Sequence, residues 1–94
     1  MEKENNTQEL ISSVCDSIKA VLLEKNKRYG NSALEPVKVF SKVDSEEAIK
    51  VRLDDKISRV KNSSELRKND VFDMIGYLTL LSVKKGWTFE DLID

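Results

Sequence analysis

The sequence predicts an all-α fold, a small bundle of three main helices with short extra helical segments. Three observations carry that expectation. Apolar residues recur every three to four positions in three long segments. Helix start signals at Asn6 and Asp44 and glycine stop signals at Gly30 and Gly86 bracket those segments. The one strand-like stretch, V-K-V-F at 37–40, has nothing in the chain to pair with. The whole chain of 94 residues reads as a single helical domain, with 1–6 frayed.

The first helix is expected near 7–27. Asn6 followed by Glu9 resembles a capping box, and Leu10, Ile11, Val14, Cys15, Ile18, Val21 and Leu22 keep a helical period. Cys15 falls within this set and reads as a small buried hydrophobe. The helix ends in Lys25, Asn26, Lys27, Arg28, Tyr29 and Gly30. Cations there complement the helix dipole, and Gly30 supplies a left-handed cap. The same segment, extended to Ser32, also offers cations, amides, a hydroxyl and an aromatic ring to a phosphate or a base.

A short helix is expected near 36–41, with Pro36 in its first turn and Val37 and Phe40 turned to the core. Asp44 to Glu47 forms another capping box and opens a helix near 45–61, striped by Ile49, Leu53, Ile57 and Val60. Arg52, Asp55 and Arg59 run beside that stripe, with Lys56 on its border. Ser63 or Ser64 is expected to cap the third helix, near 65–85.

That third helix carries the longest apolar run of the chain, 70–83, and is expected to be packed on several sides. Val71, Met74, Ile75, Leu78, Leu81 and Ser82 share one face, widened by Phe72, Thr79 and Val83. Asp70, Asp73 and Tyr77 form a polar seam beside it, which Arg52, Asp55 and Arg59 are placed to meet. Lys84, Lys85 and Gly86 end the helix, and a last turn is expected near 88–93. There Trp87, Phe89, Leu92 and Ile93 would fold back or meet a second chain. With Tyr77 and Leu80 they make a homo-oligomer the expectation.

Composition narrows the chemistry. A formal net charge of −1 gives no general drive toward nucleic acid, so an anion site must be a local basic cluster. No apolar run reaches the roughly 20 residues that span a bilayer. The polar N-terminus is not a signal peptide, and one cysteine forbids an internal disulfide, so a cytoplasmic chain is expected. With no histidine present, catalysis would have to use carboxylates, lysines and a hard metal.

Three motifs then line up in order: K-N-x-x-Y-G-x-S at 25–32, R-x-x-D-K-x-x-R at 52–59, and D-x-x-D-x-x-x-Y at 70–77. Together they resemble the phage-associated family called nucleotide modification associated domain 1, over about residues 15 to 83. The resemblance implies a small helical protein of phage nucleotide metabolism, acting in the host cell cytoplasm. More distantly the chain is similar to the MazG-type all-α nucleotide pyrophosphohydrolases, which hold Mg²⁺ with two carboxylate pairs. Asp70 and Asp73 would stand for one pair and would be the metal ligands; the first helix has no acidic pair at the matching spacing.

Three functions follow. In the first, a nucleotide or other phosphorylated small molecule is bound and not cleaved, and no cofactor is needed. Lys25, Lys27, Arg28, Arg52, Lys56 and Arg59 would meet phosphates, Tyr29 or Tyr77 would stack a base, and Ser32, Asp55, Asp70 or Asp73 would complete the site. Such a protein would suit the capture of a host nucleotide signal. In the second, Asp70 and Asp73 hold Mg²⁺ for pyrophosphate release. In the third, the charged seam is structural and the chain is a protein-interaction module.

Overall fold

The computed structural model describes residues 2–30 and 44–93, and all the regular structure there is helical. Its elements are α1 (Glu2–Tyr29), α2 (Ser45–Asn62), α3 (Lys68–Lys85) and a 3₁₀ turn (Glu90–Leu92). They fall into two compact units, divided after Gly30. The short helix expected near 36–41, and Ser32 with it, lie outside the described residues.

In the first unit, α1 is longer than expected at its start. It begins at Glu2 and runs through Asn6, so Asn6 does not cap it. An amide inside a helix already donates to a carbonyl four residues back and leaves a cap nothing to satisfy. The C-terminus is as expected. Gly30 adopts a left-handed φ of 64°, its N–H donates to the Asn26 carbonyl at 2.7 Å, and the Asn26 side-chain amide donates back to the Gly30 carbonyl at 3.2 Å. Cys15 is exposed, not buried. Leu10, Ile11 and Val14 beside it are exposed too, because one amphipathic helix cannot cover its own apolar stripe.

The second unit is built on an antiparallel pairing of α2 with α3. Asp44 caps α2 as its sequence foretells: its carboxylate accepts the Glu47 N–H at 2.9 Å. Ile49 is buried to 1% exposure, the one fully buried apolar side chain among the described residues. Leu53 and Val60 are half-buried on the same side, but Ile57 is 55% exposed. At about 100° per residue, Ile57 is turned some 80° from Ile49, onto the flank of the stripe.

The turn between the helices corrects another expectation. Ser63 does not cap α3; it closes α2, and its hydroxyl donates to the Glu65 carbonyl at 2.7 Å. With Ser63 committed to that turn, α3 starts at Lys68, and Arg67 stands before it without a side-chain cap. The far end is a Schellman stop. Gly86 has φ 71° and donates to the Val83 carbonyl at 3.1 Å, while the Trp87 N–H reaches the Ser82 carbonyl at 3.0 Å.

α3 is not covered on every side. Val71, Phe72, Met74, Ile75 and Leu81 are half-buried, whereas Leu78, Thr79 and Val83 are exposed. Thr79 and Ser82 satisfy their hydroxyls on the carbonyls of Ile75 and Leu78, at 2.7 and 2.9 Å. Trp87, Phe89, Leu92 and Ile93 are also exposed, and Trp87, Phe89 and Ile93 line an open groove with Ser82 and Val83.

Candidate functional site

Lys56 follows Ile49 by seven residues, so at about 100° per residue it lies within about 20° of the side that α2 turns to α3. Arg52 and Arg59 are turned about 60° and 80° from that line, and Asp55 about 120°. On α3, Asp70, Asp73 and Tyr77 share the side that faces back. Lys56, not the arginines, therefore meets the acidic seam. Its ammonium is 2.8 Å from the Asp73 carboxylate and 3.5 Å from that of Asp70. The side chains of Lys56 and Asp70 are only 15% and 9% exposed, and Asp73 is more open.

This packing has a definite charge consequence. The hydrogen bond from Lys56 to Asp73 raises the lysine pKa, and the two carboxylate charges support it. Partial burial and the charge of nearby Arg59 act in the opposite direction and are outweighed. Lys56 remains an ammonium, and both carboxylates are committed to it.

The arrangement expected from the sequence, with Arg52, Asp55 and Arg59 reaching across to the seam, does not form. All three are exposed, and none makes an ion pair among the described residues. Two guanidinium groups thus stand uncommitted on α2, one turn to either side of Lys56. Tyr77 is half-buried on the facing helix.

At the opposite end of the hairpin lies a second ionic cluster that sequence reasoning passed over. Lys85, in the last turn of α3, is 2.8 Å from Glu46, in the first turn of α2. Lys50 is 3.1 Å from Glu46 and 3.4 Å from Glu47. The hydrogen bond from Lys85, then that from Lys50, lowers the Glu46 pKa. This cluster ties the open ends of the two helices together and engages Lys50 and Lys85 with carboxylates.

The last turn of α1 holds the remaining expected site residues. Lys25, Arg28 and Tyr29 share one side of the helix, and Lys27 lies opposite, because neighbours in sequence are about 100° apart. Tyr29 is 69% exposed. Arg28 donates to Glu24 at 2.9 Å across one helical turn, an exposed and readily exchanged pair.

The metal reading fits this chain poorly. Mg²⁺ asks for six oxygen ligands in octahedral order. Asp70 and Asp73 are two carboxylates with an ammonium already between them, so a divalent ion there would have to displace Lys56. No group of three or more suitable side chains occurs among the described residues. Compared with protein-family models, with curated proteins and with solved structures, the chain matches none.

Proposed function

We propose that this protein binds a nucleotide, or another phosphorylated small molecule, and does not cleave it. The observation that carries this reading is the division of labour on α2. Lys56 takes the pairing role with the acidic seam of α3, which leaves Arg52 and Arg59 as free, planar, permanently charged donors on the same helix. Guanidinium groups of that kind match phosphate oxygens two at a time. Had Asp70 and Asp73 taken the arginines as partners, no such donors would remain. On α1, taken by itself, Lys25, Lys27, Arg28 and the exposed ring of Tyr29 are a separate candidate set of phosphate and base contacts.

The motif resemblance to a phage nucleotide family selects the nucleotide among phosphorylated ligands. It also makes capture of a host nucleotide signal the favoured role, with the protein working as a homo-oligomer in the host cytoplasm. Binding without turnover is preferred because the carboxylates that a hydrolase would give to Mg²⁺ are given to Lys56. Titration with a panel of linear and cyclic nucleotides, followed by chromatography of the ligand recovered, tests the proposal. Intact ligand is expected; Mg²⁺-dependent release of pyrophosphate would refute it.

A further inference from the structure

α1 carries an apolar stripe that is symmetric about its own middle. Leu10 and Leu22 lie six residues either side of Asp16, Ile11 and Val21 five, and Val14 and Ile18 two. At about 100° per residue, all six fall within an arc of roughly 120° on the side opposite Asp16. Leu10, Ile11, Val14 and Val21 are 57, 58, 56 and 43% exposed. A two-fold axis through the level of Asp16 would turn this stripe onto itself, each residue meeting its counterpart from the other half. That is the requirement for an isologous contact.

Charge sets the direction of the pairing. From residue 6 to 16 the helix carries Glu9 and Asp16 and no base. From 17 to 29 it carries Lys19, Lys25, Lys27 and Arg28 against Glu24 alone. An antiparallel pair lays the acidic half along the basic half and opposes the two helix dipoles. A parallel pair would set like charge on like and would align the dipoles. We infer that α1 is a dimerisation helix, which packs antiparallel on α1 of a second copy of this chain about a two-fold axis at Asp16.

In that register Val14 of one chain is level with Ile18 of the other, whereas the two copies of Val14 are offset by about 6 Å along the axis. Disulfide geometry tolerates the first spacing and not the second. The test uses the full chain with Cys15→Ser, carrying either Val14→Cys or Ile18→Cys, under mild oxidation. The mixture of the two variants is expected to yield a cross-linked dimer, and either variant alone is not. Light scattering of the unsubstituted chain at tens of micromolar should give at least twice the monomer mass. A monomer mass would overturn the inference and mean that the stripe is covered within its own chain. Cross-linking by Val14→Cys alone, the parallel result, would overturn it equally, as would a dimer mass without the mixed cross-link.

Discussion

Lys56 shows how a few tens of degrees of helix phase decide the role of a side chain. Seven residues from Ile49, it is carried into the α2–α3 contact, where its ammonium lies 2.8 Å from Asp73. Arg52 and Arg59, with stronger charge-pairing chemistry, are turned away from that line and stay exposed. The seven-residue spacing from Ile49 to Lys56 carries this signal in the sequence, beside the more regular run of Arg52, Asp55 and Arg59 that does not enter the contact. Replacement of Lys56 by Met should lower the urea midpoint, because it leaves the nearly buried Asp70 without its cation. Arg59→Ala should alter unfolding free energy by less than about 0.5 kcal/mol. Equal loss in both variants would contradict the assignment. The pH dependence carries its own sign. A lysine whose pKa is raised on folding stabilises the fold below its unfolded value, and that contribution is lost as pH rises through the raised one. Stability should therefore decline above pH 10.5, the ordinary lysine value, and decline less in Lys56→Met. Glu46, lowered by Lys85 and Lys50, contributes in the other direction: its stabilisation is present above pH 4.5 and is lost as pH falls through its depressed value.

At the scale of the element, the ends of helices were legible wherever the signal is local. Asp44 caps α2 through the Glu47 amide, and Gly30 and Gly86 take the left-handed conformation that closes α1 and α3. These features need only four to six consecutive residues, so the sequence specifies them directly. Ser63 does not cap α3 because its backbone N–H closes α2 on the Val60 carbonyl and its hydroxyl is held by Glu65 in the turn. Asp44→Ala should cost about 1 kcal/mol, from the loss of a cap. Gly86→Ala should cost about 1–2 kcal/mol, although nothing lies within 4 Å of an added Cβ, because a φ of 71° is strained for any side chain. Urea denaturation of the two variants checks both; an unchanged midpoint for Gly86→Ala would deny the Schellman stop its energetic role.

At the scale of the whole molecule, the all-α class followed from periodicity, but which faces are covered did not. Periodicity identifies an apolar stripe and says nothing of what lies on it. Cys15 and its neighbours on α1, and Leu78 and Val83 on α3, have the spacing of core residues yet are exposed. Ile49 is the one fully buried apolar side chain among the described residues, so Ile49→Ala should destabilise that unit by about 2–5 kcal/mol. A change under 1 kcal/mol in chemical denaturation would place the core elsewhere.

Whether Lys56 frees Arg52 and Arg59 to hold phosphate, as proposed, is measured most directly by affinity. Calorimetric titration of nucleoside mono-, di- and triphosphates and cyclic nucleotides should find at least one ligand for the native chain. Its binding should weaken by about 2 kcal/mol, roughly thirtyfold, in Arg52→Ala and in Arg59→Ala, each of which removes a charge-assisted contact. Affinity left unchanged in both arginine variants would contradict the account.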